Sequence, residues 1–153
     1  MLVTIDQANA YFATRLDTSV WDDAIDDDKN KSLIMATNII NNLQFLGTKV
    51  DPLQPDEFPR VIPDLELDGS TTPYDITIAI CEIVLTLLDG IDINKEINNL
   101  SLISRSYVST RVHYDRAVYP DYFMHGVTSA NAWNYLIKYL DKSKITPIRL
   151  SRV

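Results

Sequence analysis

The sequence predicts a mainly α protein: a bundle of about four helices with a small β-hairpin and an extended C-terminal arm. Apolar residues recur at helical spacing in four segments, and one later stretch alternates with period two. The final residues, KSKITPIRLSRV, are basic, carry Pro147 and lose all helical period.

Thr4 followed by Gln7 forms a capping box, in which hydroxyl and amide satisfy orphan backbone donors at a helix start. The first helix is therefore expected from Ile5 to about Arg15–Asp17, with Ile5, Ala8, Tyr11, Phe12 and Leu16 on its buried face. Asp22, Asp23, Asp26, Asp27 and Asp28 then precede a second helix, expected over about Asp28 to Phe45, where negative charge favours an N-terminus. Its predicted stripe is Leu33, Ile34, Ala36, Thr37, Ile40, Leu43 and Leu46, and Gly47 stands where a C-terminal cap takes a left-handed residue. Pro52, Pro55, Pro59 and Pro63 make the following stretch a loop that excludes both helix and central strand.

Pro73 opens the third helix, expected to run to about Leu88 with Gly90 closing it. Nine of its eleven residues from Ile78 to Leu88 are apolar, all around the helix, which marks the most buried element. Glu82 interrupts it. Two readings are open: an exposed or capped position at a gap between neighbours, or a salt bridge across a subunit interface. Ser104 to Arg116 alternates as a strand or hairpin, with Tyr107, Arg111, His113 and Asp115 on one side and Val108, Thr110, Val112 and Tyr114 on the other. Thr128 or Ser129 caps a last helix over about Ala130–Leu140, whose Trp133, Leu136, Ile137 and Leu140 share a face. Residues 1–141 thus form one helical domain with a β element at about 103–117, and residues 142–153 the arm.

Composition excludes several function classes. The 153 residues carry net charge −7, divided unevenly: residues 1–76 hold 14 acids and 5 bases, residues 97–153 hold 3 acids and 8 bases. An acidic body is a poor binder of phosphate, whereas a basic C-terminal third suits an acidic protein surface or nucleic acid. The single cysteine, Cys81, excludes a disulfide framework and is expected to be buried. The longest mostly apolar run, Ile76 to Leu88, is short of a membrane span, and no signal-peptide pattern opens the chain, so cytoplasmic synthesis and no membrane partner are expected.

No catalytic, metal or cofactor site is expected. His113 and His125 lack any ligand spacing, and DDAIDDDKN lacks the alternation and turn glycine of a calcium loop. With 4 glycines and no P-loop, GxSxG or GxGxxG, the chain has no phosphate cradle or nucleophile elbow. Glu57 or Asp64 near Arg60 gives carboxylates without a pocket. Tyr107, Tyr114, Tyr119, Tyr122 and Phe123, interleaved with Arg105, Arg111 and Arg116, form a mixture used both by single-strand stacking platforms and by protein interfaces. The acidic balance favours the interface, with Tyr107, Arg111, His113 and Tyr114 as an intersubunit surface.

The order of features over residues 8 to 90 resembles the tailed-bacteriophage head-to-tail connector, or head-completion, family, whose members are often labelled DnaT-like single-stranded-DNA-binding proteins. The matching positions are Tyr11, Phe12, Trp21, Ala36, Thr37, Phe45, Gly47, Gln54 and Phe58-Pro59-Arg60. Phe58 stands where the family often has Trp. The resemblance implies a structural subunit of the virion neck, assembled in the host cytoplasm. It would form a ring, commonly of twelve, docked under the portal and carrying a tail or nozzle protein, with genomic double-stranded DNA passing through. Trp21, Gly47, Gln54, Phe58, Pro59 and Arg60 would be structural. In the arm, Lys142, Lys144, Arg149 and Arg152 would attract the portal by charge while Ile145, Ile148, Leu150 and Val153 enter apolar pockets. The alternative is a single-stranded-DNA-binding replication accessory in which Tyr107, Tyr114 and Arg111 stack on bases.

Overall fold

A computed structural model describes residues 2–92, 95, 104–107, 110–113 and 120–144. The described residues are mainly α. Their elements in chain order are α1 (Ile5–Phe12), α2 (Ser19–Asp22), α3 (Asp26–Asn41), β1 (Thr48–Lys49), β2 (Arg60–Ile62), a 3-10 turn (Pro63–Leu65), β3 (Leu67–Asp68), α4 (Tyr74–Leu88), β4 (Ser104–Tyr107), β5 (Thr110–His113), α5 (Asp121–Met124) and α6 (Ala130–Leu136). Two short helices, α2 and α5, were not expected; at four residues each, they are too short to display a period.

The caps follow the side-chain chemistry. Thr4 N donates to Gln7 Oε1 at 2.9 Å while Gln7 N donates to Thr4 Oγ1, the reciprocal box expected at α1. Asp26, Asp27 and Asp28 occupy the first turn of α3, and Ser129 Oγ accepts from Ala132 N at the start of α6. Three helices end earlier than expected: α1 at Phe12, α3 at Asn41 and α6 at Leu136. Apolar residues beyond those points are still used, but by irregular backbone. Leu43 and Phe45 enter the core from a turn and a bridge, and Phe45 pairs with Leu140 as an isolated antiparallel β-bridge. Leu16, expected on the buried face of α1, is 89% exposed because the helix has stopped before it. Ile34 and Ile137 are exposed as well. Each lies about 100° from a neighbour that does face the core, and burial of Ser32, Leu33, Ala36, Thr37 and Ile40 leaves Ile34 off the stripe.

The core centres on α4, which packs against α3 and α6 and also touches α1 and α2. Ile76, Ala79, Ile80, Cys81, Ile83, Val84 and Leu85 are all buried, as an all-round apolar helix requires. Pro73 caps this helix from outside rather than occupying its first turn.

The proline-rich stretch contains the largest departure from expectation. It forms a three-stranded antiparallel sheet of order β1-β2-β3, with Thr48 opposite Val61 and Ile62 opposite Leu67. The middle strand is three residues long and fits between Pro59 and Pro63, so neither proline has to donate within the ladder. Gly47 is not a helix cap. It has φ +68° at the entry to β1, where a Cβ would lie 2.0 Å from the carbonyl oxygen of Val61.

The alternating segment is a hairpin, with Ser106 paired to Arg111 and Tyr107 to Thr110. Adjacent rungs alternate faces, so positions 107 and 111 stand on opposite faces of the ribbon instead of the same one, because the chain reverses between them. Tyr114 lies outside the described residues. Where the arm begins, Lys144 N bonds Asp141 O, and Asp141 Oδ1 accepts from Ser143, making residues 141–144 a turn. Ile145, Ile148, Arg149, Leu150, Arg152 and Val153 lie outside the described residues.

Candidate functional site

Three polar constellations are built on this frame. The first surrounds Arg60, whose side chain is buried. Its Nε donates to Leu46 O at 2.9 Å, Nη2 to Gly47 O at 2.9 Å and to Phe45 O at 3.4 Å, and Nη1 to the Glu57 carboxylate. Glu57 also pairs with Lys49 at 2.9 Å. Gln54 Nε2 holds Asp56 O and Pro59 O, and Asn41 binds both Glu57 N and the Asp56 carboxylate. Phe58, preceding Pro59 through a cis peptide, is sandwiched edge-on between Phe45 and Tyr139. Gly47, Gln54, Phe58, Pro59 and Arg60 are thus brought together in one lock that ties the end of the α3 segment to β2. Every polar group in it is already engaged, so it offers nothing to a ligand. Trp21 is equally committed: it is 1% exposed, packed on Phe12, and its Nε1 donates to Asn9.

The second is Glu82, in the middle of α4. Glu82 is not exposed, at 5%, and its ion-pair partner is Arg15 of the same chain, so its charge is met by neighbouring elements of its own fold. Tyr11 Oη donates to Oε1 at 2.6 Å and Asn131 Nδ2 to Oε2 at 3.2 Å. Burial alone would raise this carboxyl; the hydrogen bonds from Arg15, Tyr11 and Asn131 outweigh it and hold the group below the usual glutamate range. Tyr11 is pushed upward, first by burial and then by Glu82. A cavity of ≈ 300 Å³ lined by Tyr11, Glu82, Asn131, Asn134 and Tyr135 opens over the pair. It has aromatic walls and a carboxylate floor but no cation in its lining. Next along α4, Cys81 is wholly buried, and desolvation with the charge of Glu82 raises its thiol to about 12, which removes it as a nucleophile.

The third lies at the C-terminal end of the described chain. Residues of the Asp141–Lys144 turn line two cavities. One of ≈ 270 Å³ is lined by Asn42, Leu43, Gln44, Met124, His125 and Lys144, and the other of ≈ 390 Å³ by Leu46, Ile137, Lys138, Leu140, Asp141, Lys142 and Ser143. The His125 and Trp133 rings are parallel within 8°, with centroids 5.2 Å apart. Lys142 and Lys144 are exposed, Lys144 beside Asp141 at 3.3 Å. Sequence reasoning singled out both lysines but missed His125, Asn42 and Gln44. No local pattern joins residues 42–44 to 124–125; only the Phe45–Leu140 bridge and the fold around it do.

Among the described residues no group of three or more His, Cys, Asp or Glu is placed to hold a metal ion, and no helix is long and apolar enough to cross a membrane. Residues 2–152 match the family described as "Putative DnaT-like ssDNA binding protein". The chain belongs to that family. The match spans nearly its whole length and overturns the connector reading. The portal ring, tail or nozzle protein, dodecameric ring and passing duplex were implied by the connector resemblance alone and fall with it; the ligand named in the family's description is single-stranded DNA. Among curated proteins and solved structures, none matches the chain.

Proposed function

We propose that the protein is a single-stranded-DNA-binding accessory of replication, with no catalytic role of its own. The observation that carries this reading is the match of residues 2–152 to the DnaT-like family. Charge supports it in one region only. The acidic first half repels phosphate, so strand binding falls to the C-terminal third, where 8 bases face 3 acids. On this reading the helices around α4 act as a bundle that carries the binding surface. Residues 142–153 are the basic arm, with Lys142, Lys144, Arg149 and Arg152 as phosphate contacts.

Titration of the full chain into a fluorescein-labelled oligothymidine at salt from 50 to 200 mM tests the reading. For three to five phosphate contacts, log affinity should fall with log salt with a slope of about −2 to −3.5. Absence of binding at the lowest salt would overturn it.

A further inference from the structure

We propose that the cavity between the end of the α3 segment, His125 and the Asp141–Lys144 turn is a nucleotide site, taking one unpaired base with its phosphate. The inference rests on the single-strand-binding reading and supplies the site that reading lacks.

Four observations converge on the cavity. His125 lines it whereas Trp133, stacked parallel behind the imidazole, does not. The imidazole is therefore interposed between a buried indole and the opening, fixed in plane, with a face available to a third ring. Asn42 and Gln44 also line the cavity, are exposed, and their side-chain amides make no hydrogen bond with any described residue; an amide offers both a donor and an acceptor, as the edge of an unpaired base does. Lys144 supplies the cation: it pairs at 3.3 Å with Oδ2 of Asp141, whose Oδ1 is held by Ser143, and with its side chain 61% exposed it can exchange that surface pair for a phosphate. Met124, 59% exposed, extends the apolar wall beside the stack. The volume of ≈ 270 Å³ is below that of drug-sized pockets, which begin at about 300 Å³, and suits a single base.

The competing cavities lack one of these parts. The one over Glu82 has tyrosines and amides but a carboxylate floor and no cation. The one lined by Arg15, Asp17, Ser19, Val20, Leu85, Thr86 and Asp89 has two acids to one base and no ring. The Lys138–Lys142 cavity has cations but no aromatic wall. Its lining shares the Asp141–Lys144 turn with the proposed site, and on this proposal it would carry the phosphate of the next nucleotide.

The test uses the full chain and an oligothymidine containing 5-iodouracil. Irradiation of the complex should crosslink Met124 or His125, located by mass spectrometry. Stacking on one base carries enough affinity that H125A should weaken binding roughly 5- to 100-fold, while H125F, which keeps a planar ring, should stay within about threefold of wild type. Retained affinity in H125F, with loss in H125A, separates a stacking platform from a fold defect. If wild type binds but H125A binds equally and crosslinks fall elsewhere, this site is wrong and the family reading stands. If wild type does not bind, both fall.

Discussion

Arg15 and Glu82 meet across 67 residues of sequence in a two-point ion pair, Nε to Oε1 at 2.6 Å and Nη2 to Oε2 at 3.2 Å. Glu82 is the buried partner; the Arg15 side chain is about a quarter exposed at 27%. That asymmetry decides what each deletion costs. Arg15→Met leaves an ionised carboxylate in the core with only Tyr11 and Asn131 as donors, and should destabilise the fold by about 3 kcal/mol. Glu82→Gln keeps the shape and leaves a cation that can reach water, so it should cost less, about 1 to 2 kcal/mol. Urea denaturation of the two variants checks the order; equal losses would show that the pair acts by packing rather than by charge.

The same pair sets an acid limit. The folded carboxyl of Glu82 lies below its unfolded value, so its stabilisation is complete above the unfolded glutamate value of about 4.3. It is lost as pH falls from there through the lower folded value. Stability curves of wild type and Glu82→Gln should therefore be furthest apart near neutrality and converge below about pH 4. A constant gap across that window would mean that Glu82 does not titrate differently in the two states.

Gly47 and Gly90 separate conformational strain from collision. Both have positive φ, +68° and +80°, but a Cβ at Gly90 meets nothing within 4 Å while one at Gly47 would overlap the Val61 carbonyl. Gly90→Ala should cost only the left-handed penalty of about 1 to 2 kcal/mol. Gly47→Ala adds displacement of β2, whose Arg60 holds the Phe45, Leu46 and Gly47 carbonyls, and should exceed it by at least about 2 kcal/mol. Thermal unfolding of the two variants, measured side by side, gives that difference directly.

Local chemistry was legible in the sequence wherever one segment carried the whole signal. The Thr4–Gln7 box, the acidic first turn of α3, the all-round apolar α4 and the hairpin pattern each predict their element from residues within one or two turns. Helix ends were not, because Leu43, Phe45 and Leu140 are apolar for the core and not for a helix, and periodicity cannot tell the two apart. Prolines concealed the small sheet, since a three-residue strand between them violates no rule about proline yet gives no alternation to read. Glu82 is the clearest limit: its partners Tyr11, Arg15 and Asn131 come from both ends of the chain, and only the packing of α1 and α6 on α4 assembles them. Lys142 and Lys144 were visible as charge, but the ring, the amides and the cavity beside them arise from contacts between residues 42–45 and 124–144 that no spacing encodes.

Those lysines also determine how binding should respond to salt. Each exposed cation that meets a phosphate of a single strand releases about 0.7 of a counterion, so removing two should flatten the log–log slope by about 1.4. Lys142→Gln with Lys144→Gln alters two exposed residues at the surface turn and should leave thermal stability nearly unchanged. Affinity at 50 mM salt should drop while affinity at 200 mM converges toward wild type, because the lost contribution is the one that salt already screens. A drop of the same size at both concentrations, with the slope unchanged, would instead mark the loss of a directional contact, and unchanged affinity at both would move the phosphate path away from the Asp141–Lys144 turn to the remaining arginines of the C-terminal third.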